Sequence, residues 1–435
     1  MAFGRQLPRI TGLDGERTAA FLDVLANTEC PALTARRARR AERTGAPQDP
    51  IVWAEARGAN VRDVDGNVFV DMTAGFGVAA LGHGHPAVRG AVLKQTERLM
   101  HAMGDVHPAD VKIALLAKLA QRVPIRDARF VLGAHGADAL EAALQSALLF
   151  TGRPGVIAFE GGYHGLSLGA LSVCGYKLGF RAPFDAKLDA HVRFVPYPRS
   201  EHEFASTQRA MDDALRHGDV GAVLIEPMLG RGGVFEPTDG ALEWIGERAK
   251  GAGALVIADE IWTGLGRTGS WWAGEALKAD ILCLGKALGG GMPISACAAR
   301  REVMEAWGAP VGEALRTATF LGHPLACAAA LAQLETLENA DAPRLAREHG
   351  KILRDALEAK VGSDRVRGRG MALAVEIGSA QRTLSIVRAL LERGFITLPA
   401  GADASALQLS PPLDLDEALS HAFVDALAEC MVALP

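Results

Sequence analysis

Three apolar runs in this chain each end in an ionisable residue, and that repetition limits the possible folds more than any other feature. Ala222-Val223-Leu224-Ile225 runs into Glu226-Pro227, Ala254-Leu255-Val256-Ile257-Ala258 into Asp259-Glu260, and Ile281-Leu282-Cys283-Leu284-Gly285 into Lys286. Short continuous apolar runs of this kind suit strands buried on both faces, as in parallel sheets covered by helices. In an open parallel sheet the carboxyl ends share one edge, and ligands bind there. The pattern therefore predicts a lysine facing two carboxylates at a single sheet edge.

A lysine alone is ordinarily a surface residue. Lys286 differs because it follows a buried-strand pattern and precedes Gly289-Gly290-Gly291, which suit close backbone approach to a ligand. Lysine and aspartate brought together in this way have the chemistry of a Schiff-base lysine with a carboxylate to hold a pyridinium nitrogen.

The rest of the chain fits an α/β enzyme. Strand-like runs occur at Arg129–Leu132, Val156–Phe159, Val192–Val195, Ala222–Ile225, Leu255–Ala258, Ile281–Leu284 and Ser295–Ala298, with helical periods between them at Ala137–Phe150 and Gly240–Ala252. Upstream, Ala59 to Val70 reads as a hairpin turning at Asp65-Gly66. Long helices follow residue 325, then strand-like Met371–Ile377, Phe395–Leu398 and the stretch ending at Leu407-Gln408-Leu409-Ser410-Pro411-Pro412.

With 435 residues, 49% hydrophobic, the chain can bury more than one domain core. A net charge of -5 implies no strong field for nucleic acid or membrane. The pairs Arg36-Arg37 and Arg39-Arg40 make a local basic cluster on a helical pattern, read as a solvated face or a dimer contact. No run approaches the ~18 apolar residues of a membrane span, and the start lacks a signal-peptide core. Six scattered cysteines without a C-x-x-C pair look mostly like reduced core residues, and with the twelve histidines they form no metal-ligand spacing. These features predict a cytoplasmic enzyme with no metal, nucleic-acid or membrane partner.

Several longer segments resemble class III (subgroup II) aminotransferases, enzymes of PLP fold type I. Asp259 to Gly269 (D-E-I-W-T-G-L-G-R-T-G) is similar to the family's D-E-x-x-T-G-x-G-R-T-G, Lys286 to Gly291 to its Schiff-base segment, and Thr319 to Cys327 to its T-F-x-G-N-P-L-A-C. Gly82-His83-Gly84-His85-Pro86 and Tyr163-His164-Gly165 also fit, and the similarity runs from about residue 30 to the C-terminus. The resemblance implies a large pyridoxal-phosphate domain, residues 71–324, built on a mainly parallel sheet of the seven runs above. A smaller α+β domain would combine residues 1–70 with 325–435.

The resemblance also assigns roles. Lys286 would form the internal aldimine and move the substrate proton, and Asp259 would hold the pyridine nitrogen; an N-cap is the ordinary alternative for Asp259. Glu226 belongs to the site wall, with a structural hydrogen bond as the alternative. The phosphate cradle is Gly133 to Asp138, where Gly136 and Ala137 donate backbone N–H groups. His135 stands where the family has Ser or Thr, and Asp138 where it has Glu; His135 either donates an imidazole N–H to the phosphate or packs beside it. Tyr163 would cover the cofactor ring, Trp262 lies near it without a catalytic role, and Thr319 would reach the phosphate across a homodimer interface, or else cap its own loop.

One departure concerns the substrate. The position of the family's C-terminal carboxylate-binding arginine is Gln408, and the family's E-P-x-Q-G-E is here Glu226-Pro227-Met228-Leu229-Gly230-Arg231. The gating glutamate has become Arg231. Either Arg231 takes a substrate carboxylate, or it faces solvent or a structural carboxylate and the substrate is recognised differently. The leading expectation is a homodimeric transaminase acting on an amine or amino acid and a carbonyl acceptor. A racemase, aminomutase or decarboxylase of the same fold is the alternative. A silent pyridoxal-phosphate-binding protein is disfavoured by Lys286 and Asp259, and a nicotinamide dehydrogenase by the lack of a strand-G-x-G-x-x-G-helix unit.

Overall fold

A computed structural model describes residues 2–33, 42, 50–308 and 314–434, so the basic cluster at 36–40 lies outside the described residues. The chain divides into two compact units, Pro86–Pro343 and Met1–His85 with Arg344–Pro435.

The unit Pro86–Pro343 is built on seven strands: β1 (Arg129–Gly133), β2 (Gly155–Phe159), β3 (Val192–Val195), β4 (Val220–Ile225), β5 (Leu255–Asp259), β6 (Ile281–Leu284) and β7 (Ser295–Ala299). Their order across the sheet is β1-β7-β6-β5-β4-β2-β3. Neighbours from β6 to β3 are parallel, and β7 alone is reversed, pairing antiparallel with both β1 and β6. Six carboxyl ends therefore share one edge. Helices α1 (Gly136–Thr151), α2 (Glu201–Leu215) and α3 (Ala241–Gly251) alternate with the strands.

The core under α1 shows why the strands alternate as they do. Ala139, Ala142, Ala143 and Ala147 of α1 meet Ala158, Ala222, Leu224, Leu255, Ile257 and Cys283 from the sheet, all buried. Small residues on the helix let it lie close to the sheet, and each buried leucine or isoleucine contributes about 1.5–3 kcal/mol of transfer free energy. The helix Pro324–Asn339 packs against Pro86–Arg98 and Asp110–Arg122 and so belongs to this unit, which extends to Pro343 and not only to the expected 324.

In the other unit the expected hairpin is present: Asn60–Asp63 pairs antiparallel with Val68–Asp71. Its turn is held by Asp63 Oδ1, which accepts from Asp65 N (3.1 Å) and Asn67 N (2.8 Å), while Gly66 takes φ +89°. The C-terminal strand Phe395–Ile396 joins the hairpin in parallel, so the two ends of the chain share this unit, which continues to His85. A second sheet orders Val366–Arg369, Ala372–Glu376, Ala406–Leu409 and Leu398–Ala400, all antiparallel. Five of the six cysteines are buried and all are free.

Candidate active site

Four strands deliver side chains to the shared edge of the sheet. Leu255 and Ile257 pack into the core, and the two-residue period of β5 puts Asp259 in line behind them. Asp259 is buried. Its Oδ2 lies 2.7 Å from His164 Nδ1, and its Oδ1 accepts from Ile261 N at 3.1 Å. No helix begins here, so Asp259 is not an N-cap. Burial opposes charge on His164, but the hydrogen bond and charge of Asp259, with the charge of Glu226, outweigh it and hold the imidazole pKa above its ordinary value.

The family resemblance places His164 in a motif and gives it no role. The only signal was the Tyr-His-Gly triplet; nothing local says that its histidine meets a carboxylate 95 positions away.

Glu226, just past β4, is buried and clamps two loops. Its Oε1 accepts from Tyr163 N (2.7 Å) and its Oε2 from Gly230 N (3.0 Å). Burial pushes its pKa up, with the His164 charge opposing and the Asp259 charge adding. The structural hydrogen bond weighed for Glu226 is thus present. The clamped loops carry Tyr163 and Arg231. The Arg231 guanidinium carbon sits 4.6 Å from the Tyr163 ring centroid, 5.2 Å from that of Tyr176 and 5.5 Å from that of Phe180. No described residue offers it an ion pair. The buried Trp262 ring lies against Gly230, where a Cβ would come within 2.9 Å of it.

Lys286 follows β6 in a left-handed conformation, φ +43°, uncommon for a residue with a side chain. It is half-buried, and its ammonium has no hydrogen-bond or ion-pair partner among the described residues. Desolvation lowers its pKa, as do the charges of Arg231 and Arg267, against the pull of Asp259 and Glu226. Gly285, just before it, is needed for close packing: a Cβ there would meet Ile261 at 3.2 Å, and one on Gly136 would meet the same side chain at 3.0 Å. Ile261 thereby wedges the lysine turn against the start of α1.

At that start, Asp138 Oδ2 accepts from Ala134 N (2.8 Å) and His135 N (3.0 Å). Burial opposes ionisation of Asp138, but these two bonds, with the charges of His135 and Arg316, outweigh it and hold its pKa below the usual carboxylate value. The N–H groups of Gly136 and Ala137 belong to the first turn of α1 and have no intrahelical acceptor. His135 is exposed, with Nδ1 3.4 Å from Asp138 Oδ2. Thr319 is exposed on the loop before Pro324. Gln408 lies in the other unit, on the strand Ala406–Leu409 opposite Ala374 and Leu398.

Residues 42–431 match the family model for class-III aminotransferases. The chain belongs to the class III aminotransferase family. It is 37% identical over 388 residues to the acetylornithine aminotransferase of Methanopyrus kandleri, covering 88% of this chain and 94% of that protein. It is 30% identical over 403 residues to an alanine/serine racemase of Pyrococcus horikoshii, covering 86% and 84%. The ornithine aminotransferase structure from Toxoplasma gondii aligns with a TM-score of 0.82 at 27% identity, over 97% of this chain and 96% of that one. The fold is PLP fold type I and the protein is a pyridoxal-phosphate-dependent aminotransferase. The residues fit that cofactor: unpaired Lys286 suits its aldehyde, buried Asp259 its ring nitrogen, and the open first turn of α1 its phosphate.

Proposed function

We propose that this transaminase exchanges amino groups between substrates that carry a carboxylate, held by Arg231. The observation that carries this reading is the Arg231 guanidinium, lodged beside Tyr163 with no carboxylate of the described residues on it. Arginine offers planar paired donors suited to that group. Two of the relatives named above point the same way, since acetylornithine and ornithine are both carboxylated amines.

Bound pyridoxal phosphate supplies an aldehyde carbon that takes up the amino group and a ring that accepts electrons. Lys286 Nζ would hold the cofactor and, as a free amine, would move the proton at the substrate carbon; its lowered pKa favours the neutral amine that this requires. Asp259 would face the ring nitrogen, and His164 holds the Asp259 carboxylate in place. Gly136 and Ala137 donate to the phosphate, with His135 at their side. Tyr163 covers the ring, and Glu226 fixes the Tyr163 and Arg231 loops.

The working form is a homodimer in the cytoplasm, in which Thr319 reaches the partner's phosphate. Exposed Phe320 beside Thr319, with Leu148 and Phe150 at the end of α1, supports an interface. No helix among the described residues is long and apolar enough to cross a membrane.

Mixing the enzyme with a panel of amino acids and uncharged amines, without an acceptor, tests the reading. Carboxylated donors should convert the cofactor to its amine form, and uncharged analogues should do so poorly. Equal conversion by both classes would refute a carboxylate anchor, and cofactor-bound protein sedimenting as an active monomer would refute the dimer.

A further inference from the structure

Arg231 is immobilised at both its backbone and its side chain. The loop that carries it closes through a bridge between Leu229 and Phe235. Gly230 lies under Trp262, and Gly232 lies so near the loop at Gly161 that a Cβ would come within 2.5 Å of the Gly161 carbonyl oxygen. Glu226 ties the same loop to Tyr163. The backbone at Arg231 therefore has little room to shift.

The guanidinium, in turn, is surrounded by rings. Tyr163 and Tyr176 meet edge to face at 5.9 Å, and Tyr176 stacks on Phe180 at 6.0 Å with planes 24° apart. Tyr176 is buried, and Leu171 and Cys174 pack with it into a small separate core that Tyr163, Phe180 and Leu188 complete. A cation held on ring faces keeps its in-plane N–H donors available, because the rings engage it through their π-electrons. An arginine paired to a carboxylate, by contrast, must break that pair before it can receive a substrate.

We infer that Tyr176 and Phe180 are positioning residues which, with Tyr163, hold Arg231 as a permanently open carboxylate receptor, so that the site selects carboxylated substrates in both halves of the exchange. This rests on the reading that Arg231 binds the substrate. It accounts for the departure of this chain from the arginine switch that the family resemblance implies: Arg231 stands at the gate position and Gln408 at that of the gated arginine, and a fixed receptor needs no gate. Specificity then follows from a pre-organised cation, and an uncharged amine would leave that cation desolvated without a partner.

The test uses the holoenzyme, the fastest amino-acid donor of the panel, and the amine that lacks its carboxylate. Valerate serves as a non-reacting probe, its binding read from the cofactor absorbance. Tyr176→Leu and Phe180→Leu should each raise KM for the amino acid and weaken valerate about fivefold to tenfold, the loss of one desolvated cation–π contact. Turnover number and the rate with the uncharged amine should stay near wild type. Phe180 is only half-buried, so its variant stays informative if Tyr176→Leu fails to fold.

Arg231→Gln separates the two levels of the argument. A selective loss with the amino acid in Arg231→Gln, but unchanged KM and valerate binding in both ring variants, would overturn the aromatic seat and leave the carboxylate anchor standing. Equal losses with acid and amine in Arg231→Gln would overturn the anchor and the seat together.

Discussion

His164 Nδ1 and Asp259 Oδ2 lie 2.7 Å apart at a place where both side chains are buried. The pair joins the loop after β2 to the end of β5. Asp259 carries a charge-assisted hydrogen bond on one oxygen and a backbone N–H on the other, which fixes the direction in which the carboxylate points.

Replacing His164 should therefore disturb Asp259 without removing it. In His164→Gln we expect a fall in kcat/KM of about one to two decades, the equivalent of a charged hydrogen bond worth about 1.5–3 kcal/mol. Cofactor affinity, measured by equilibrium dialysis, should weaken as well. Wild-type kinetics in that variant would remove His164 from the site.

Asp259→Asn should cost more, because an amide cannot balance a charged ring nitrogen. We expect a loss of roughly two or more decades in kcat with the fold retained, as judged by circular dichroism. A variant with near-wild-type turnover would contradict the role given to Asp259.

Lys286 is the attachment point expected from its position at the sheet edge and its lack of a partner among the described residues. Borohydride reduction of the holoenzyme should leave the cofactor covalently on the peptide containing Lys286. Lys286→Ala should bind cofactor only non-covalently and should not sustain multiple turnovers. Labelling of any other lysine would refute the assignment.

Glu260 adjoins Asp259 but points elsewhere: its carboxylate accepts from Gly274 N at 2.6 Å and from the Thr263 hydroxyl. Burial pushes its pKa from 4.5 up to about 7, outweighing those two bonds. Between these values the folded protein holds a proton that the unfolded chain has released, so this residue makes stability fall as pH rises from about 4.5 to 7 and contributes no slope above that range. The full effect is of order 3 kcal/mol. Urea denaturation of apo-protein across this range should show a shallower decline for Glu260→Gln, whose amide can satisfy the same two partners. Identical slopes would show that folding leaves the Glu260 pKa where it is in the unfolded chain.

The strand pattern alone was enough to place Glu226, Asp259 and Lys286 at one edge, because a buried parallel sheet needs continuous apolar runs and its direction brings their ends together. The long motifs pointed to the family for the same reason: they contain the residues that must surround one cofactor. The hairpin at Asp65-Gly66 was equally legible, since turn chemistry is local. Other features depended on contacts between residues far apart in the chain. Nothing near His164 announces Asp259, and nothing near Arg231 announces Tyr176 or Phe180, which approach it only after the loops following β2 and β4 have folded against each other. The helix Pro324–Asn339 likewise belongs to the unit whose helices cover its apolar face, and periodicity cannot reveal which neighbours those are. The sequence by itself determined the sheet, its edge and the residue types available there. Tertiary structure alone decided which side chains are paired, desolvated or left open, because burial and charge coupling arise only when distant segments share one space.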